Sequence, residues 1–573
     1  MRYYLSLILV VIGLVAIAQK PIVNGLDKYS TQVGESLFIN GSNFPTSAAN
    51  VKVNLGAGTA TVVSTSDNQI EVIVPNTATY GQVVVTNLTN GLSGTSVRPF
   101  LLSFSGGDLD ATAFTSRITS DSDQGTYDLC TCDFDGDGKI DVGVANLSSN
   151  NISIFRNLTT FGNNPSFTKT IKVNGYETVS TECADLNGDG LPELVAIGDE
   201  ASVAQHVFIY VNTSTSGTIN LTKTIEFRLP DLTVTTPRRG RKMKIADIDL
   251  DGRKDLVIGT TTDNRIYIFR NTSATGNLQF NTTPTELVIS GLSNGGALDV
   301  SDLNGDGLPD IAVLPFDDPG SNIAIFKNQS SSGSFSFKQE QSITSSGHRI
   351  NILIADLNGD NKPDLVTTSR SSNRVDIFEN TSTGSDLTFS NSPTVKTNIS
   401  GAWGLTAGDM NGDGLTDIGV AALSANFYIL ENNSTAGSLV LDTRQFALGP
   451  DNRNVRFADI DGDSKPDVLA ANNSGSSVTG NLSAVLNKNC IVPVITPTDL
   501  TFCHNNAITL YATKTANASY SWSVTSGNGS AVNNGNSADI TVTSGTSATV
   551  QVTINANDGS GCAESHSQVF TLT

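Results

Sequence analysis

Positive charge is scarce in this sequence: 34 lysine and arginine residues stand against 55 aspartate and glutamate, a formal charge of −21. Such a balance repels nucleic acid and anionic membranes alike and excludes both as partners. Histidine is rarer still, with only His206, His348, His504 and His566, none in a triad or a metal-ligand spacing. No Cys-x-x-Cys pair occurs among the six cysteines Cys130, Cys132, Cys183, Cys490, Cys503 and Cys562, so zinc and thioredoxin-type chemistry lack their residues. Structural bridges in an oxidising compartment are the fitting use of these thiols, with fifteen connectivities open. No segment carries the 3.6-residue apolar period of a helix, and no apolar run of spanning length follows the N-terminus.

What is present begins with residues 1–18, MRYYLSLILVVIGLVAIA, which read as a secretory signal peptide with a small-residue cleavage site. The apolar core from Leu5 to Ala18 is short for a membrane anchor, against the ~20 residues needed to cross a bilayer. Charged residues make up 16% and apolar ones 38%, with strand-like alternation throughout, so the acidity is that of a folded chain carrying its charge in particular places.

Those places are seven nonapeptides, DFDGDGKID, DLNGDGLPE, DIDLDGRKD, DLNGDGLPD, DLNGDNKPD, DMNGDGLTD and DIDGDSKPD, starting at Asp133, Asp185, Asp247, Asp302, Asp356, Asp409 and Asp459. Self-similarity at intervals of 50 to 62 residues marks a repeat architecture. An apolar strand ending in asparagine keeps the same step, reaching Asn157, Asn212, Asn271, Asn328, Asn380, Asn432 and Asn487. Each unit also offers a strand directly after the loop, a short strand carrying Phe or Leu, as at Phe280 or Phe389, and an apolar segment leading into the next loop. Four strands per unit are the content of a propeller blade. After the last loop only two strands remain before Cys490, while the segment around Phe114 to Ile118 matches the missing outer strand. The expected fold is therefore all-β: a seven-bladed propeller over residues 105–490, closed by an N-terminal strand that removes the sheet edges. An open solenoid would need capping repeats, and none is visible.

Within each nonapeptide, positions 1, 3, 5 and 9 carry oxygen ligands and position 7 offers its backbone carbonyl, a set that suits the six to eight hard ligands of Ca²⁺. The expected metal residues are Asp133, Asp135, Asp137, Lys139 and Asp141 in the first loop, then Asp185, Asn187, Asp189, Leu191 and Glu193. They continue as Asp247, Asp249, Asp251, Arg253 and Asp255, then Asp302, Asn304, Asp306, Leu308 and Asp310. The remaining three loops supply Asp356, Asn358, Asp360, Lys362 and Asp364; Asp409, Asn411, Asp413, Leu415 and Asp417; and Asp459, Asp461, Asp463, Lys465 and Asp467. Position 6 is usually glycine, which permits the positive φ of a sharp turn; Asn361 tolerates it and Ser464 is the weakest substitute. Nearly half of the 55 acidic residues lie in these loops, so up to seven Ca²⁺ ions are expected, holding the scaffold together rather than switching it.

The D-x-[DN]-x-D-G-x-x-D loop followed by an apolar strand resembles the FG-GAP or VCBS-like repeat of integrin α-chain propellers and of bacterial surface proteins. That resemblance implies calcium bound away from the ligand-binding face. Residues 21–103, with GESLFINGSNF from Gly34 to Phe44 and Val74-Pro75, resemble an IPT/TIG immunoglobulin-like domain. Residues 491–573, with YSWSVTSG and ATVQVTINA, resemble a PKD-like or Ig-like β-sandwich, with Trp522 a core residue rather than a sugar platform. Two functions stay open: a secreted or cell-surface adhesion protein binding an extracellular protein or glycan, with no catalytic residues, or a carbohydrate-active enzyme such as a polysaccharide lyase. The one basic cluster, RRGRKMK from Arg238 to Lys244, reads as a solvated loop, with an acidic-glycan contact as the alternative. His348, just before an inner strand, is placed to face the central channel.

Overall fold

In the computed structural model the described residues run from 20 to 572, apart from 91, 105–108, 110–112, 161–162, 174–175, 201–203, 231–239, 262, 319–321, 345–346, 385, 436, 474–478, 489–494, 497–500, 503–506, 513–518, 527–528, 535–536, 543–548 and 558–562. The signal-peptide reading of residues 1–18 and the residues Arg238, Arg239, Cys490, Cys503, Cys562 and His504 lie outside them. Apart from one 3-10 turn at Ala48–Asn50, every described element is a strand, and no helix is long and apolar enough to cross a membrane.

Seven four-stranded antiparallel sheets follow one another around the ring. The first blade shows the plan: an inner strand Thr126–Cys132, the loop, a second strand Asp141–Asn146, the Asn-ended strand Asn151–Asn157 and an outer strand Phe167–Val173. Second and third strands are packed on both faces, which is why they read as continuous apolar runs rather than alternating ones. The last blade closes as the strand count requires: Asn452–Ala458, Asp467–Asn472 and Thr479–Val485 are completed by Ile118–Gln124, and Phe114 bridges Asn487. Closure leaves no open edge in the ring.

Two expectations need correction here. Phe280 and Phe389 are not within outer strands; each makes a single bridge, to Asn271 and Asn380, and the strands begin later, at Thr285 and Thr394. Pro284 and Pro393 lie between bridge and strand, and proline cannot donate to a ladder. Nor is Lys242 or Lys244 part of a solvated loop: both lie on the inner strand Gly240–Ala246, where Lys242 is buried 4.0 Å from Asp128 and Lys244 pairs with Asp299 at 2.9 Å. Inward charges on an inner strand satisfy each other across the channel. A run of basic residues cannot show that from composition.

A disulfide joins Cys132 to Cys183, tying the inner strands of the first two blades. Cys130 is a free buried thiol, and burial pushes its pKa up to about 12. The N-terminal domain is one eight-stranded sheet system around Leu37, Ile39, Val53, Ile70, Val85 and Phe100. Near the C-terminus, strands between Ile495 and Leu572 form two further four-stranded sheets, and Trp522 is buried there, 4% exposed.

Candidate metal centres

Each loop is a turn written by its glycines. Position 6 takes positive φ throughout, at Gly138, Gly190, Gly252, Gly307, Asn361, Gly414 and Ser464, and so does position 4, where Leu250 replaces the usual glycine at φ 54°. The amide of position 6 donates to Oδ2 of the position 1 aspartate in every loop, for instance from Gly138 to Asp133 at 2.9 Å and from Ser464 to Asp459 at 2.8 Å. Ser464 is buried at φ 73° and its hydroxyl has no partner among the described residues. Ser464→Gly should therefore stabilise the protein by about 1–2 kcal/mol, the strain of a left-handed residue; chemical denaturation that shows a loss would refute the turn argument.

Position 9 anchors the loop. Asp141, Glu193, Asp255, Asp310, Asp364, Asp417 and Asp467 are fully buried. One carboxylate oxygen accepts the amide of position 2, at 2.7–3.1 Å. In six loops the other oxygen accepts the amide of the strand-ending asparagine, as from Asn380 to Asp364 at 2.9 Å. Burial drives these acids toward the neutral form despite those bonds: Asp141, Glu193 and Asp255 rise to about 8, Asp310 and Asp364 to about 7, and Asp417 and Asp467 well above the ordinary range. Carboxylates held this way favour a cation among them.

The structure brings Asp133, Asp135 and Asp141 together, likewise Asp247, Asp249 and Asp251, and Asp459, Asp461 and Asp467, with candidate ligand atoms within 4.8 Å of one another. These are the three loops with aspartate at position 3. Asp247 Oδ1 and Asp461 Oδ2 are buried and meet no donor among the described residues, which fits a bound cation. In the other four loops position 3 is asparagine, whose Oδ1 accepts the amide of position 5 at 2.9–3.1 Å. The side chains at position 7 take no common direction: Lys139 Nζ reaches Thr159 O, Arg253 bonds Asp251, and Lys465 pairs with Asp463 at 3.1 Å. Only their carbonyls could serve as ligands.

Sequence reasoning missed the cations that accompany the extra aspartate. Arg156 holds Asp135 and Asp137 at 2.5 and 2.6 Å, and Arg270 holds Asp249 and Asp251 at 3.0 and 2.5 Å. With Lys465 in the last loop, each four-carboxylate loop thus has at least one cation paired with it, and the third loop has Arg253 and Lys20 besides. The signal was present: IFRN ends the third strand only where the loop has aspartate at position 3.

The strand-ending asparagines were a landmark without a role, and the structure supplies it. Asn157, Asn212, Asn271, Asn328, Asn380, Asn432 and Asn487 each donate from Nδ2 to the position 2 carbonyl in the preceding blade's loop, at 2.8–2.9 Å. Asn157 reaches back to Ile460, so the chain of bonds runs round the whole ring.

The N-terminal domain lies on the loop side. Lys20 meets Asp247 at 3.3 Å, Lys52 meets Asp185 at 3.3 Å, Arg98 meets Asp356 at 3.2 Å and Ser103 donates to Asp409 at 2.7 Å, always at Oδ2 of position 1. At the other end of the inner strands, Tyr127, Ile350 and Trp403 close the channel, with Arg453 4.5 Å and Arg370 5.6 Å from the Trp403 ring. His348 bonds Asp317 O at 3.0 Å and is 38% exposed. Tyr176 stacks over both His206 and Phe208, with centroids 4.3 and 5.5 Å away, and His206 bonds Glu226.

Against known families, residues 133–196, 247–313, 302–367, 356–420 and 409–470 match the FG-GAP-like repeat, together about half of the chain, and residues 21–104 match the IPT/TIG domain. No curated protein matches the sequence. Among solved structures, an auxiliary nutrient binding protein from Bacteroides thetaiotaomicron VPI-5482 is 11% identical, covering 82% of this chain and 98% of its own, with a TM-score of 0.33. An auxiliary nutrient binding protein from Bacteroides ovatus ATCC 8483 is 14% identical over 82% and 98%, with a TM-score of 0.28. A protein of unknown function from Bacteroides thetaiotaomicron VPI-5482 is 11% identical over 82% and 98%, with a TM-score of 0.30. Likenesses this distant say nothing of what the chain binds.

Proposed function

The chain belongs to the FG-GAP-like repeat family, and from that premise we propose that it is an exported or cell-surface, calcium-loaded propeller that binds an extracellular protein or glycan. One observation carries the calcium: three of the turns each bring three carboxylates within 4.8 Å of one another, and all seven end on a fully buried acid. In this reading the ions are structural, since the same acids tie six of the loops to the end of the third strand. Positions 1, 3, 5 and 9 would hold the metal, with the position 7 carbonyl.

Export is supported by the apolar N-terminus and by the disulfide between Cys132 and Cys183, a bond of oxidising compartments. The propeller is read as residues 105–490, and the two C-terminal sheets as a PKD-like or Ig-like module. Because the N-terminal domain occupies the loop side, the ligand belongs to the opposite face, where Arg370, 40% exposed, flanks Trp403. Adhesion is favoured over a lyase activity because Lys242 and Lys244, the basic groups nearest a catalytic role, are committed to Asp128 and Asp299.

The test is an array of glycans and matrix proteins probed with calcium and with chelator. Binding without turnover, weakened in Arg370→Ala, is the expected result. Release of unsaturated sugar products would replace this reading with a lyase, and an array without hits would overturn it.

A further inference from the structure

Between the N-terminal domain and the inner strands lie two adjoining cavities of about 360 and 520 Å³, within the ~300–1,000 Å³ of small-molecule sites. Their walls are held by the contacts of Lys20, Lys52, Arg98 and Ser103 to four loops. Three cations and two carboxylates line the first cavity. Lys244 pairs with Asp299 at 2.9 Å and Arg456 lies 3.6 Å from Glu182. Lys254 is the one left over: it lines both cavities, and its ammonium makes no hydrogen bond or ion pair with a described residue. Asp133 and Asp185, which border the second cavity, belong to the first two loops, and Asp185 is already held by Lys52.

The scaffold does not call for this lysine. Lys254 occupies position 8 of its loop, where the other six carry Ile140, Pro192, Pro309, Pro363, Thr416 and Pro466. Asp185 and Asp247 attract Lys254 only from beyond ion-pair distance, and an ammonium desolvated in this cleft without a directly bonded acid is costly. Tyr80, Gln82 and Thr406 line the same cavity and bring a hydroxyl, an amide and a second hydroxyl, groups that recognise a hydroxylated molecule.

We propose that this interdomain cleft binds a small sugar acid, its carboxylate paired with Lys254 and its hydroxyls met by Tyr80, Gln82 and Thr406. The site is distinct from the macromolecular face proposed above and stands or falls apart from it.

Titration calorimetry of the calcium-loaded full chain with galacturonate tests it, with galactose and inorganic sulfate as the other arms. Saturable binding of galacturonate is expected, about tenfold or more tighter than galactose, and reduced about tenfold or more by Lys254→Gln. Since Lys254 holds nothing in the fold, that variant should keep its melting temperature and calcium stoichiometry. Gln82→Ala should weaken galacturonate by a smaller factor. No saturable binding at millimolar galacturonate, equal binding of galactose, equal binding of sulfate, or a Lys254→Gln protein that binds like wild type would each overturn the proposal. None of these outcomes bears on the array experiment.

Discussion

Chelation with EDTA lowers the melting temperature of this protein by at least about 10 °C, and calcium restores it where magnesium does not. The size follows from linkage: at calcium 100-fold above its dissociation constant, each occupied site stabilises the folded chain by about 2.7 kcal/mol. Three loops alone would then contribute about 8 kcal/mol, comparable to the whole stability of an ordinary domain. Without metal, the charge of the loops has no outlet: Asp459, Asp461 and Asp463 repel one another in a buried turn, and the carboxyls of Asp459 and Asp461 are driven toward protonation by burial first and by their neighbours next. Seven divalent ions would reduce the formal charge from −21 to −7. Magnesium fails because it holds its waters and demands a tighter octahedron than these turns supply. A thermal transition indifferent to EDTA would remove calcium from the account.

In the calcium-loaded protein, Asn380→Ala costs at least about 3 kcal/mol in chemical denaturation. Asn380 is 3% exposed and its side chain serves three backbone groups: Nδ2 donates to Leu303 O at 2.8 Å and Pro363 O at 2.9 Å, and Oδ1 accepts the amide of Ser382 at 3.0 Å. Truncation orphans all three, at about 1–3 kcal/mol for each buried group left unpaired. Asn380→Asp should be no better, since it keeps the acceptor, loses both donor bonds and buries a charge. Exposed positions on the outer strands, such as Val395, set the contrast, with changes within about 0.5 kcal/mol expected there. A near-native Asn380→Ala protein would mean that the ring is held by side-chain packing alone.

The loops were legible because their chemistry is local: nine residues contain the turn and its carboxylate and amide side chains, so the pattern survives without knowledge of anything distant. Strand count served equally well for closure, since a blade one strand short must borrow one, and Ile118–Gln124 is the strand borrowed. Asn380 was visible as a repeat and mute as to purpose, because its partner Leu303 lies 77 residues away in the neighbouring blade. Lys52 offered still less. It is a polar residue alternating within VKVNL, and alternation tells which face is outward but not that a propeller loop, 133 residues on, will cover it.

The seven turns, their acidic side chains and the four-stranded unit were thus determined by sequence alone, since each rests on contacts between residues a few positions apart. Tertiary structure decided how blade grips blade, which charges face the channel, which side of the disc the N-terminal domain covers, and that Lys254 is left without a directly bonded acid. Those outcomes depend on which surfaces meet after the ring closes, and a side chain's partner across such a junction has no periodicity by which the chain could announce it.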